Sequence, residues 1–229
     1  MRVEPDIATY QQRLADAYQG LNYGSSLSGY FMRRGHIALE RAFDDRTHFG
    51  RVLEVGSGAG EHLGFIRHGF DHYLMTDWND IRLQHARAAL PEALRSRVDV
   101  AREDATSLTL KDGSIDRLIA CHILEHLYRP HEVIREWHRV LRRGGVMSIL
   151  LPCDPGMLWR FGRVLGPRAS AERAGIDYDY WMAREHVNPI GNLVTFIRYY
   201  FPKVRETWYP ARIPSTDINL FYLCHVTKP

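Results

Sequence analysis

The chain has 229 residues, 45% of them hydrophobic and 25% charged, enough for one large domain with a full core. The 30 Lys and Arg nearly balance the 27 Asp and Glu, and basic residues recur only as pairs such as Arg33-Arg34 and Arg142-Arg143, so the charge footprint of a nucleic-acid binder is absent. Cys121, Cys153 and Cys224 offer no C-x-x-C zinc spacing and no even disulfide framework, the N-terminus lacks a signal-peptide core, and no apolar run approaches the ~20 residues of a membrane helix; the expectation is a cytoplasmic protein with at most peripheral membrane contact.

Apolar spacing predicts helices over residues 5–20, with Leu14, Ala17 and Tyr18 on one face, and 27–43, with Ile37, Leu39 and Phe43 on one face. Strand and helix signals then alternate, with strands over 51–55, 72–76, 97–101, 115–120 and 146–151 and helices over 60–67, 79–90 and 130–141. That rhythm is the pattern of an α/β protein with a parallel sheet covered on both faces. Gly144-Gly145 is expected to stop the helix that ends near Leu141 and to feed the fifth strand. From 154 to 188 the rhythm gives way to helices and loops rich in Arg, Trp and Tyr. A helix over 189–200 and strands over 203–209 and 218–227 follow. One domain is expected, divided into an N-terminal helical cap (1–48), a core (49–151), an insertion (152–188) and a C-terminal helix with strands (189–229).

Two segments carry chemistry. In RVLEVGSGAGEHL, from Arg51 to Leu63, a strand enters a turn with glycines at 56, 58 and 60, and Glu54 stands two residues before the first glycine. Such a turn lets a nucleotide-like ligand lie against bare backbone. The dinucleotide fingerprint G-x-G-x-x-G would place its third glycine at position 61, which is Glu61. The second segment, SIDRLIACHILEHLYRPHEVIREWHRVLRRGGVMSILLP, covers the fourth strand, a helix and the fifth strand.

The first segment resembles motif I of the class I S-adenosylmethionine (SAM)-dependent methyltransferases. The second resembles the signature of the branch that acts largely on small molecules, such as quinones, sterols and natural products. Asp116, Glu125, His126, Leu127, Glu136, Arg139, Val140, Leu141, Gly144 and Gly145 match it. The resemblance is strong over residues 50–151 and loose beyond. It implies a Rossmann-like, doubly wound sheet of seven strands, the last antiparallel beside the fifth. The 152–188 segment would then be a helical lid inserted between strands five and six over the acceptor side.

The resemblance also implies SAM as cofactor. Glu54 would read its ammonium group, the backbone of Gly56, Ser57, Gly58 and Gly60 would cradle it, and Asp77 would accept from its ribose hydroxyls. Trp78 would flank the adenine, and Asp104-Ala105 would meet the ring edge. Each acid has a plainer alternative. Glu54 could be a surface carboxylate or helix-cap partner, Asp77 a helix N-cap, and Asp104 a turn residue; an acid at position 77 would also suit NAD.

Cys121 and His122, at the carboxyl end of the fourth strand, are expected to face the reactive methyl. His122 is the first candidate to take a proton from an attacking hydroxyl. His186, beside Asn188-Pro189, is the second. His126 is a third, expected to point into the fold or toward the cofactor edge. No sequence spacing marks a metal site and none is expected, ligands gathered by the fold apart. In the insertion, Trp159, Phe161, Tyr178, Tyr180 and Trp181 with Arg160, Arg163, Arg168 and Arg184 suit a ring or a phosphorylated acceptor, or simply pack the lid. Tyr23 and Tyr30 are expected to close over the cofactor. The expected acceptor is an oxygen of a small molecule or glycan. Nitrogen or carbon acceptors, a non-catalytic SAM-binding protein and an NAD enzyme are the alternatives. The N-P-P-Y motif of amide and base methylation is absent, and the chain reads A-C-H-I there.

Overall fold

The computed structural model describes residues 26–173 and 175–229. The expected helix over residues 5–20, and Tyr23, lie outside them. The first described helix, α1 (Leu27–Glu40), starts where Ser26 Oγ accepts from the Gly29 N–H at 3.1 Å. It buries Met32, Gly35, His36, Leu39 and Glu40, one face at helical spacing. It ends three residues before the expected limit.

The sheet contains β1 (His48–Val55), β2 (Gly69–Asp77), β3 (Val98–Arg102), β4 (Ile115–Cys121), β5 (Leu141–Pro152), β6 (Val204–Pro210) and β7 (Asn219–Thr227). Its order is β3-β2-β1-β4-β5-β7-β6. The pairs among β1 to β5 are parallel, while β7 runs antiparallel between β5 and β6. This is the doubly wound seven-stranded arrangement that the resemblance implied.

Strand alternation sorts the core into two faces. Val52, Tyr73, Met75, Ile119 and Leu150 share a cluster with Met32 and Leu39 of α1. Leu53, Val55, Leu118, Ala120 and Ile149 share the other with residues of α3 (Pro130–Val140) and α7 (Ile190–Tyr200). Trp137 of α3 is fully buried and donates Nε1–H to the Ala105 carbonyl at 2.9 Å, tying this helix to the loop after β3. The remaining helix of the alternation, α2 (Asp80–Ala89), is capped by Asn79, whose Oδ1 accepts from Ile81 and Arg82.

Two local expectations fail. The stretch 60–67 is no α-helix but a 3-10 turn, Glu61–Phe65. Gly60 enters it in the left-handed region at φ 88°, and His62 is drawn into the core, so the segment is spent on a tight corner. Nor do the paired glycines stop α3. The helix closes at Val140, with the Leu141 N–H bonded to the Trp137 carbonyl, and Leu141 already pairs with Ile115. Gly144 and Gly145 lie inside β5 at an irregularity of its register with β4. Gly144 has φ 73°, and an added Cβ on Gly145 would come within 3.1 Å of the Ile115 and Asp116 carbonyls. Their role is close strand contact at a bend.

Between β5 and α7 stand α4 (Met157–Leu165), α5 (Pro167–Arg173) and α6 (Tyr178–Glu185). Ile176, Tyr178, Trp181 and Met182 form their own small core. The Arg163 guanidinium lies 5.2 Å from the centre of the Tyr178 ring. Asn188 fastens the end of this insertion to the loop after β4, donating Nδ2–H to the Leu127 carbonyl at 2.8 Å. No helix of the described residues is long and apolar enough to cross a membrane.

Candidate active site

Strand order reverses at β1, whose neighbours are β2 and β4, so the carboxyl ends of these strands border the crevice where open α/β sheets bind ligands. A cavity of about 540 Å³ lies there. Gly56, Asp77, Trp78, Asn79 and Arg82 line one part of it, and His122, Glu125, His126 and His186 another. The insertion adds Leu158, Trp159, Phe161 and Trp181, and α1 adds Leu27, Phe31 and Met32. The size is that of a small-molecule site.

At the cofactor end, Gly56, Gly58 and Gly60 all have positive φ. A Cβ on Gly56 would sit 2.2 Å from Ile123 Cδ1, so the backbone there must stay bare. Asp77, at the tip of β2, is buried and accepts from the Gly58 N–H at 3.1 Å and the Asn79 N–H at 2.9 Å. These bonds fix the carboxylate at the turn, and its two oxygens keep further lone pairs for a donor in the cavity. Asp77 is not the N-cap of α2, a place Asn79 takes. Trp78 is 56% exposed, a flat apolar face beside Asp77. A bare glycine turn, an anchored acid and an exposed ring suit a nucleoside bearing a ribose diol.

Several expected contacts do not reach the cavity wall. Glu54 is buried behind the turn, accepts from the Tyr73 hydroxyl at 2.7 Å, and is pushed up to about 7 by burial. Ser57, Gly58 and Gly60 build the turn from beneath; Ser57 Oγ is buried and has no partner among the described residues. Asp104 is exposed and spends its carboxylate on its own turn, accepting from the Thr106 N–H at 2.8 Å and hydroxyl at 2.7 Å. Ala105 is buried beneath Trp137. Cys121 turns from the cavity, with Sγ 3.6 Å from His62 Nδ1. The neighbouring His122 takes φ 55°, a left-handed conformation uncommon outside glycine, and it does line the cavity.

At the acceptor end the fold joins residues distant in sequence. His122 Nδ1 lies 3.9 Å, and His126 Nε2 3.8 Å, from Glu125 Oε1. His186 stands edge-on to His126, with ring centres 4.8 Å apart. Its Nδ1 is 2.8 Å from Asp154 Oδ2, and His126 Nδ1 is 2.9 Å from the Glu185 carbonyl. Burial pushes both His122 and His126 down to about 3, with His186 adding to each shift. Imidazoles so depressed are weak acceptors of a hydroxyl proton at neutral pH. Burial, with the nearby Asp154 charge, pushes Glu125 up to about 8. Glu125 Oε2 and His122 Nε2 are buried without partners among the described residues.

Spacing did not reveal Asp154, nor the role of Glu125 beyond its place in a motif. The E-H pair was the one signal available for this cluster. Tyr178 and Trp181 belong to the lid's own small core and also line the cavity, as Trp159 and Phe161 do. Tyr30 is half exposed and does not line it.

Residues 53–149 match the family described as "Methyltransferase domain". A Mycolicibacterium smegmatis protein named as a probable S-adenosylmethionine-dependent methyltransferase is 30% identical over 129 residues, 56% of this chain and 48% of that one. The phosphatidylethanolamine N-methyltransferase of Cereibacter sphaeroides is 28% identical over 172 residues, 66% of this chain and 79% of that one. The chain spans about half the length of the mycobacterial relatives it matches. Among solved structures, a Methanococcus maripaludis protein of the S-adenosylmethionine-dependent methyltransferase type superposes with TM-score 0.65 at 13% identity, over 100% of this chain and 97% of that one, a likeness of fold. Fold, glycine turn and family match agree: the chain carries a methyltransferase domain of the class I SAM-dependent family, and SAM is the cofactor of that family.

Proposed function

We propose that the chain transfers a methyl group from SAM to an oxygen of a small molecule or glycan. The observation that carries this reading is the cavity itself, whose wall joins Gly56, Asp77 and Trp78 to His122, Glu125, His126 and His186. When bound there, SAM supplies a sulfonium methyl that is open to in-line displacement. Asp77 would accept from the ribose hydroxyls, Trp78 would flank the base, and the Gly56 backbone would meet the chain that links nucleoside to amino acid. Asp104 acts through the turn it braces, and Glu54 through its bond with Tyr73 on the neighbouring strand, rather than by direct contact. The apolar walls exclude water and hold acceptor and methyl in line, which is the main source of rate in such a transfer. The polar end orients the attacking hydroxyl, and Asp154 holds His186 for that purpose.

Phe161 and Trp159 in the wall suit an acceptor with an aromatic or otherwise apolar body. The free thiols Cys121, Cys153 and Cys224 accord with a reducing, cytoplasmic setting. A second reading, methylation of the nitrogen or carbon of an amphiphilic lipid, draws on the exposed apolar side chains of α4, Met157, Phe161, Val164 and Leu165, and on the phospholipid N-methyltransferase among the relatives.

Calorimetric titration with S-adenosylhomocysteine, with NAD as control, tests the cofactor half. Micromolar binding that weakens at least ~30-fold in Asp77→Ala is expected, the loss of two hydrogen bonds to a charged acceptor. Binding of NAD instead would overturn the methyltransferase reading. Transfer of a labelled methyl to a panel of phenols, sugars, ethanolamine lipids and quinols then assigns the atom. Label on nitrogen or carbon alone would replace oxygen as the acceptor.

A further inference from the structure

We propose that Glu125, His126 and His186 form a binding site for one divalent transition-metal ion at the acceptor end of the cavity, and that the acceptor is a chelating diol or hydroxy-carbonyl compound. One possible ligand atom from each of the three side chains lies within 4.8 Å of the others. This deepens the proposed function and rests on it for the acceptor, though not for the metal.

The tautomers support the assignment. Asp154 Oδ2, as a carboxylate, and the Glu185 carbonyl can only accept, so each fixes a proton on the Nδ1 it faces, in His186 and His126 respectively. The Nε2 atom of each ring is then a lone pair. Two imidazole lone pairs beside the Glu125 carboxyl form a set of ligand atoms for a cation, whose binding would release the carboxyl proton. An imidazole whose far nitrogen is held by a carboxylate or a backbone carbonyl is the usual support of a metal ligand.

The orphaned Glu125 Oε2, on a side chain 3% exposed, is a second and independent sign that a partner belongs here. Asn188 fixes the backbone of this turn by donating to the Leu127 carbonyl and, from its own backbone N–H, to the Glu125 carbonyl at 3.1 Å. The cavity provides an entry path. Two histidines and one carboxylate suit zinc or a neighbouring first-row ion and leave open positions for substrate oxygens.

A metal there would acidify a coordinated acceptor hydroxyl, a task for which the buried His122 is poorly suited. The hydroxyl proton leaves to water. The oxygen lone pair forms the new O–C bond as the C–S bond breaks, and its electron pair returns to sulfur, which becomes a neutral thioether. A second oxygen on the acceptor, adjacent to the first, would hold the remaining open position and select for chelating substrates.

The test is Co²⁺ titration of metal-stripped protein, read by visible absorption and by metal analysis after gel filtration. One Co²⁺ per chain is expected, displaced by Zn²⁺, without a thiolate charge-transfer band. His186→Ala and Glu125→Gln should lower the affinity at least ~100-fold and Asp154→Asn about 10–100-fold, while S-adenosylhomocysteine binding stays within about twofold as a check of folding. Absence of bound Co²⁺ in a protein that binds S-adenosylhomocysteine overturns the metal site and leaves the methyltransferase reading intact. A thiolate band that is lost in Cys121→Ser and kept in His186→Ala overturns it too, by placing the ion at His36, His62 and Cys121. Methylation of simple monohydric phenols at the rate of catechols overturns the acceptor class.

Discussion

Two clusters of ionisable side chains among the described residues differ in how far their hydrogen bonds are completed. Against α1, Arg117 meets Glu40 through paired contacts of 2.9 and 2.5 Å, with both side chains at 0% exposure. Glu40 Oε1 also accepts from His62 Nε2 at 3.0 Å, and His62 Nδ1 pairs with His36 Nδ1 at 2.8 Å. The Arg117 guanidinium lies 4.0 Å from the centre of the Phe43 ring. This cluster lies within the core that α1 makes with the sheet, its members bonded to one another. The cluster of Glu125, His126 and His186 opens onto the cavity and leaves Glu125 Oε2 unmet. Completed bonds mark a cluster that holds the fold together; an unmet acceptor beside a cavity marks one that awaits a ligand.

The largest effect expected from this contrast is on stability. Glu40→Ala would leave the Arg117 charge buried without its partner and should cost about 3–5 kcal/mol, a large share of the stability of a single domain. His186→Ala, in the cavity wall, should cost less, about 1–2 kcal/mol, because Asp154 keeps the Arg163 guanidinium at 3.7 Å. Urea unfolding of both variants measures the difference. Equal losses would mean that the acceptor cluster is as structural as the core one.

A second experiment sharpens the contrast through pH. Burial alone would push the Glu40 carboxyl up, but hydrogen bonds from His62 and Arg117 outweigh it and hold the group well below the ordinary carboxylate range. Its stabilisation is therefore present above the unfolded value and is lost as pH falls below it. Glu54, on β1, behaves in the opposite sense. Its folded-state value, raised to about 7 by burial, favours the neutral acid, so its contribution is complete in acid and is lost as pH rises through 7. Glu54→Gln keeps an acceptor for the Tyr73 hydroxyl and removes the titration. It should gain up to about 3 kcal/mol over the native chain at pH 9 and nothing at pH 4. A stability difference that does not change with pH would show Glu54 to be solvated.

The sequence disclosed the fold through hydrophobic periodicity, which strand and helix burial create directly. Leu53 and Val55 face one side of β1 and Val52 the other, as alternation requires. It misjudged residues 60–67 and Gly144-Gly145, because the draw of His62 into the core and the approach of the Ile115 and Asp116 carbonyls are contacts of distant segments. At the cofactor end, Gly56, Asp77 and Trp78, which the resemblance singled out, lie on short, local connections and meet at the cavity wall. The grouping at the acceptor end had no such local mark. His126 and His186 are 59 and 32 positions from the residues that orient them, so no local pattern records the pairing.

A smaller effect is expected at the cofactor turn. Gly56→Ala would place a methyl against Ile123 in a backbone region strained for any side chain. It should cost about 1–3 kcal/mol and weaken S-adenosylhomocysteine binding, because Ile123 must retreat into the cavity. Full affinity in a folded variant would show that the turn does not touch the cofactor.

The smallest change predicted is also the most selective. Asn188 Nδ2 makes one short bond to the Leu127 carbonyl and two longer ones, at 3.3 Å, to the carbonyls of Leu124 and Glu125. Asn188→Ala deletes these bonds and should destabilise the chain by about 1 kcal/mol, since water can reach part of the space. The backbone N–H of residue 188 still holds the Glu125 carbonyl, so the turn stays in place but loses its stiffness. The Glu125 and His126 side chains ride on that turn, whereas Gly56 and Asp77 do not. The acceptor KM should therefore rise about tenfold while the affinity for S-adenosylhomocysteine is unchanged, the separation expected when one end of a shared cavity loosens and the other stays rigid. Parallel losses of acceptor and cofactor affinity would show that the two ends respond as one unit, and the contrast between a completed cluster and an open one would then lose its functional meaning.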